Sequence, residues 1–177
     1  MAISEKFVVK RLRDEYFLWV SSLTYVEKHA IRKYSYNSMD RKPNRFFERL
    51  NAMLRDDNVG DDYEKLEEYA KIISKALKNH PLEQDIICYR GVDVNPVQGY
   101  EIGAIISFGQ FISTSVIKTK ALCKRYKMVI RVPKGAKGAY IESLSVFPKQ
   151  REFLLDKDCY YKLLSIKGKN IELEVQL

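Results

Sequence analysis

Histidine and cysteine are scarce in this chain, and their scarcity narrows the chemistry first. The two histidines, His29 and His80, stand far apart in 177 residues, and the three cysteines, Cys88, Cys123 and Cys159, share no metal-ligand spacing. A disulfide framework and a metal site are therefore not expected. Without a histidine or lysine partner in view, a serine nucleophile lacks its base. Cys88 and Cys159 lie in apolar runs and are expected as small core residues. Glycine and proline are sparse too, 8 and 5 in number, which argues against a disordered or low-complexity chain. No apolar run reaches the ~18 residues of a spanning helix. The opening MAISEKFVVKRLRDEYF carries charge too early for a signal peptide. A soluble chain with no membrane partner and no address of its own is expected.

What is present is a composition 46% hydrophobic and 31% charged, suited to one globular domain over residues 1–177. The net charge of +8 is uneven. Between Lys118 and Arg151 ten basic residues face one acid, Glu142. Such a stretch fits nucleic acid, an anionic ligand or an acidic protein partner, or else a solvated face.

Residues 1–80 read as helical. Ser4 precedes Phe7, Val8, Leu12, Tyr16 and Trp19 at helical spacing, and residues 22–34 repeat the pattern through Leu23, Val26, Ala30 and Ile31. Residues 34–43 read as a polar turn. Phe46, Phe47, Leu50, Met53 and Leu54 mark a third helix, and residues 63–77 a fourth. Residues 81–177 change texture to short runs of β-branched and aromatic residues. Strands are expected at 86–89, 104–108, 111–113, 128–132, 139–141, 153–155, 160–166 and 171–176, the last pair joined as a hairpin by Lys167-Gly168-Lys169-Asn170. A short helix is expected over 119–126. Helices first and strands second predict an α+β fold with antiparallel character. Nothing in the pattern suggests a coiled coil or an obligate interface, so a monomer is expected.

Four pieces carry the candidate chemistry. They are Asn51-Ala-Met-Leu-Arg55 at a helix end, Tyr89-Arg90-Gly91 at a strand end, Ser113-Thr114-Ser115 in a later strand, and Gln150-Arg151-Glu152 within VFPKQREFLL. Arg90 suits bidentate binding of a phosphate or carboxylate, or a surface ion pair. The alternating hydroxyls of Ser113 and Ser115 share one face of a strand, where hydrogen bonds to neighbouring strands are the plainer use. Period-two spacing puts Gln150 and Glu152 on one side of an extended backbone beside an exposed Phe147-Pro148 turn.

In that order the four pieces resemble the mono-ADP-ribosyltransferase family of the arginine, Ser-Thr-Ser, Glu class. The chain is similar, over roughly residues 23–177, to the single-domain clostridial Rho-modifying exoenzymes and to the catalytic domains of related binary toxins. The likeness is densest in GAYIESLSVFPKQREFLL. It implies an N-terminal helical segment followed by two packed, mainly antiparallel sheets forming an NAD cleft.

By position the resemblance assigns Arg90 to the NAD phosphates, with Gly91 matching only the backbone of that motif. Asn51 and Arg55 match a helix motif that contacts the diphosphate and adjoining groups. Ser113 matches the serine that orients a catalytic glutamate, Glu152, while Thr114 and Ser115 shape the cleft floor. Phe147 and Gln150 match the turn that recognises the target protein. NAD enters as co-substrate and no metal is implied. Arginine-modifying members carry glutamate where this chain has Gln150, so the resemblance implies an asparagine acceptor, with a Rho-type small GTPase as first candidate partner. Arg151 adds charge between the two key positions. An NAD glycohydrolase would use the same Arg90, Ser113 and Glu152, and a nucleic-acid-binding module using the basic stretch is the reading from another class. A secreted or injected toxin acting in a target cell's cytosol is expected, with phage-borne or cytoplasmic origins open.

Overall fold

A computed structural model describes residues 4–36, 45–57 and 59–177. Four helices come first: α1 (Glu5–Ser22), α2 (Tyr25–Ser35), α3 (Phe46–Leu54) and α4 (Tyr63–Lys78). The Ser4 hydroxyl accepts from the Phe7 amide at the start of α1. Thr24 and Glu27 close a reciprocal capping box that begins α2, two residues after α1 ends. That box places the second helix slightly later than the apolar spacing alone suggests. Most of the expected polar turn at 34–43 lies outside the described residues; Tyr34 and Ser35 belong to the last turn of α2.

Eight strands follow: β1 (Ile86–Val92), β2 (Ile105–Ser107), β3 (Ile112–Ser115), β4 (Tyr126–Val132), β5 (Gly138–Tyr140), β6 (Glu152–Leu155), β7 (Tyr160–Lys167) and β8 (Asn170–Gln176). The α+β order and mainly antiparallel pairing expected from the sequence hold. The strands join in one hydrogen-bonded array, β2-β7-β8-β4-β1-β3-β6-β5, where two sheets were expected. The β4–β8 pair is parallel. The β7–β8 hairpin turns as expected, with Lys167 opposite Asn170 and Gly168 at φ 61°.

The expected helix at 119–126 does not form. Lys118–Lys120 makes one 3-10 turn, residues 121–125 are irregular, and Tyr126 already belongs to β4. Leu122 is exposed, so this segment has no apolar stripe to bury, which is what stabilises a short helix in a protein.

Helices and sheet share one apolar cluster that includes Leu12, Ile31, Leu50, Ile73, Ile130, Phe153 and Leu173. Its polar ties are few and directed. The Tyr16 hydroxyl donates to the Gly138 carbonyl (3.1 Å) and the Trp19 indole to the Ala76 carbonyl (3.0 Å), fixing α1 against β5 and α4. Cys88 and Cys159 are buried, and burial pushes both thiols up to about 12. They pack as small apolar groups, whereas Cys123 is exposed. Among the described residues no helix is long and apolar enough to cross a membrane, and no three His, Cys, Asp or Glu side chains are grouped to hold a metal ion.

Candidate active site

β1, β3 and β6 lie side by side in the array, and their facing side chains form one wall of a cleft. Ser115 is directly opposite Glu152 and Ser113 opposite Leu154. On an antiparallel pair such positions put Ser113, Ser115 and Glu152 on one face, Ser113 diagonally from Glu152. The Ser113 hydroxyl donates to Glu152 Oε1 at 2.5 Å, and the Arg90 guanidinium reaches across from β1 to the Ser113 carbonyl at 2.5 Å. Glu152 is 5% exposed. Burial raises its carboxyl above the ordinary carboxylate range; the Ser113 hydroxyl and the Arg90 charge pull partly the other way.

The opposite wall comes from α2 and α3. Tyr34, Ser35, Phe47 and Asn51 line it. Asn51 is buried, and its amide nitrogen donates to the Tyr34 hydroxyl (2.9 Å) and to the Phe111 carbonyl (3.5 Å). Its Oδ1 is buried and has no partner among the described residues. An unpaired buried acceptor is costly unless something fills it. Burial pushes the Tyr34 hydroxyl well above its usual pKa, so it stays protonated.

The roof is the irregular stretch after β3. Lys120, Ala121 and Leu122 line the cleft, and the chain crosses directly over Gly91. A Cβ on Gly91 would collide with the Leu122 carbonyl oxygen and lie 2.9 Å from the Lys124 Cβ. Glycine is needed there for close approach of two backbones. The Lys124–Asp93 pair, 2.8 Å, fastens the far end of the crossing.

At the mouth sits the turn before β6. Pro148–Gln150 forms a 3-10 turn and Arg151 is left-handed at φ 52° and ψ 51°. The backbone there is not extended, so period-two spacing does not govern Gln150 and Glu152; the turn nonetheless brings both to the cleft, with Phe147 beside them. The Ser115 hydroxyl donates to the Gln150 carbonyl (2.7 Å) and the Val116 amide to the Arg151 carbonyl (3.0 Å). Ser115 therefore holds the turn as well as lining the cleft. The Thr114 hydroxyl is buried on the Phe153 carbonyl at 2.6 Å and serves the β3–β6 contact.

Of the residues singled out in the sequence, the cleft gathers Asn51, the Tyr89-Arg90-Gly91 and Ser113-Thr114-Ser115 pieces, Phe147, Gln150 and Glu152. Arg55 is not among its lining residues: its guanidinium is exposed and engaged by Gln110 and by Asp57 (3.0 Å). Tyr34, Phe47 and the Lys120–Leu122 roof are cleft residues that sequence reasoning missed. The basic stretch contained Lys120, but nothing in its spacing distinguished it from the other lysines.

The family model described as ADP-ribosyltransferase exoenzyme matches residues 12–176. The chain belongs to that family. One relative, NAD(+)--arginine ADP-ribosyltransferase EFV of Enterococcus faecalis, is 28% identical over 160 residues, or 85% of this chain. Those residues are 31% of that protein, so the chain spans about a third of its length. Among solved structures, Plx2a, an ADP-ribosyltransferase toxin from Paenibacillus larvae, superposes with a TM-score of 0.81 at 24% identity, covering 99% of this chain and 98% of that one. An ADP-ribosyltransferase from Clostridium botulinum gives 0.77 at 20% identity, covering 99% of this chain and 96% of its own. The C. perfringens toxin BECa, solved with NADH, gives 0.74 at 24% identity over 94% of this chain and 47% of its own. At such identities the structures establish a shared fold, and the exoenzyme family match agrees with it.

Proposed function

We propose that this exoenzyme-family chain transfers ADP-ribose from NAD to a protein side chain, releasing nicotinamide. The observation that carries the reading is the buried Glu152 carboxylate held by the Ser113 hydroxyl at 2.5 Å, in a cleft shared with Arg90. Breaking the bond between nicotinamide and its ribose leaves both electrons on the departing ring, which becomes neutral. A general acid is then unnecessary, and a cleft lined without histidine is no obstacle. What the step needs is a fixed negative charge beside the sugar as it becomes cationic, as in glycoside hydrolysis. Glu152 has that role, and it also accepts the hydrogen bond of a ribose hydroxyl.

Arg90 and Lys120 supply positive charge for the diphosphate. Arg55 would join them only by giving up Asp57. Asn51 lines the cleft with its amide nitrogen held by the Tyr34 hydroxyl and the Phe111 carbonyl.

The acceptor follows from Gln150. A neutral carboxamide offers one donor set and one acceptor to a matching amide, whereas a guanidinium is better met by a carboxylate. We therefore assign asparagine as the acceptor residue, with a Rho-type small GTPase as first candidate target and a toxin's action inside a target cell as its setting. The Enterococcus faecalis relative is named for arginine, and the experiment separates the two.

Purified wild type and Glu152→Gln are incubated with labelled NAD and a eukaryotic lysate. Nicotinamide release with one labelled band in wild type and neither in the variant is the expected result, and mass spectrometry of the band reads the acceptor. Release without any labelled protein would instead make the chain a glycohydrolase. Neither signal, together with salt-sensitive binding to DNA or RNA, would overturn the reading in favour of the basic stretch.

A further inference from the structure

Glu142, the one acid in the basic stretch, lies two residues beyond β5 and gathers three partners. Arg13 of α1 donates to it through Nε at 2.9 Å and Nη2 at 2.7 Å. The Tyr140 hydroxyl donates at 2.8 Å, and the Arg151 guanidinium forms an ion pair with the same carboxylate. The carboxylate side chain is only 11% exposed, and in such a place a paired, hydrogen-bonded charge is rigid, while removing one partner is felt strongly. The Arg151 charge is thus turned onto Glu142, and Arg151 is absent from the residues lining the cleft. It does not add charge between Gln150 and Glu152.

Arg151 is also the left-handed residue of the turn. A side chain other than glycine stays in that region only where its surroundings hold it. Its φ and ψ set how Gln150, before it, is oriented relative to Glu152, after it. The two neighbours are anchored differently. Glu152 is fixed by β6 pairing and by Ser113, whereas the Gln150 side chain is exposed on a 3-10 turn.

We infer that Glu142 is a positioning residue: with Arg13 it clamps Arg151 in the left-handed conformation and so sets Gln150 against Glu152 for transfer to the acceptor. The inference rests on the reading of Gln150 as acceptor-facing. Glu152, Ser113 and Arg90, on which cleavage of NAD depends, are held by contacts that do not involve Glu142, so the clamp acts on transfer and not on nicotinamide release. Arg13 extends the device to α1, which otherwise makes no contribution to the cleft lining.

The test uses the full chain with Glu142→Gln, Arg151→Ala and Arg151→Gly. Amide exchange over residues 147–152 is expected to quicken about tenfold in Glu142→Gln, with the β7–β8 hairpin unchanged. With NAD alone, nicotinamide release is expected to stay within about threefold of wild type, while label transfer to the lysate protein falls about tenfold or more, since a small misplacement is enough to cost that much. Arg151→Gly, which adopts the left-handed conformation without a side-chain penalty, is expected to keep more transfer than Arg151→Ala. Unchanged exchange at 147–152, or transfer and release falling in parallel, would overturn the clamp. Wild type and Glu142→Gln exchanging as expected with no labelled protein in wild type would overturn the transferase reading and leave the clamp standing.

Discussion

Ser113 and Glu152 belong to neighbouring antiparallel strands two residues out of direct register, and the serine hydroxyl closes that diagonal with a 2.5 Å hydrogen bond. Ser115, which is directly opposite Glu152, spends its hydroxyl on the Gln150 carbonyl instead. One short strand thus orients the carboxylate with its first serine and tethers the mouth of the cleft with its last.

Glu152→Gln is expected to lower nicotinamide release by about 100- to 1,000-fold, the scale of losing one preorganised electrostatic group. Stability should move the other way. Burial raises the folded-state carboxyl, with Ser113 and Arg90 offsetting only part of this, so the native state binds the proton more readily than the unfolded chain. Wild-type stability therefore declines as pH rises from the ordinary carboxylate range through the raised value. At neutral pH the variant should melt above wild type, and the difference should vanish in acid below the ordinary carboxylate range. A variant that melts lower at neutral pH would show that the carboxylate is a net stabiliser.

Ser113→Ala removes a donor that favours the charged carboxyl. The working form is the carboxylate, so activity fails as pH falls through its pKa. The acid limb of kcat/KM should move to higher pH, with a loss of about tenfold at neutral pH. A limb that stays in place would separate the serine from the titration of Glu152.

Gly91→Ala drives a methyl into the Leu122 carbonyl. The roof must shift, at a cost of about 1–3 kcal/mol in stability. KM for NAD should rise, with the catalytic carboxylate untouched. Denaturant titration and initial rates at varied NAD check the two parts separately.

Gln150→Glu replaces the carboxamide at the mouth with a carboxylate suited to a guanidinium. Labelling of a small guanidine such as agmatine should rise about tenfold while labelling of the protein band falls. Equal agmatine labelling by both forms would mean that this position does not choose the acceptor.

The order of elements was legible because it rests on local rules. Helical spacing located α1, α3 and α4, and β-branched runs located the strands. A missed capping box, Thr24 with Glu27, accounts for the late start of α2. The segment at 119–126 was misread because its pattern cannot reveal that Gly91 and Asp93 hold it as a crossing. The parallel β4–β8 pair was equally hidden, since period-two alternation says nothing of a strand's neighbour or its direction.

By itself the sequence determined the residue types of the cleft: an arginine before a glycine, serines at alternate positions, a carboxamide two residues before a carboxylate, and no histidine in the constellation. These are statements about composition and spacing along one chain. The tertiary structure decided the rest, because the deciding contacts join residues distant in sequence. It turned Arg55 toward Gln110 and Asp57, set the Asn51 amide against Tyr34 and Phe111, and seated Arg151 on a carboxylate bound also by Arg13 of α1. Such pairings depend on which surfaces the core brings together, and no local pattern encodes them.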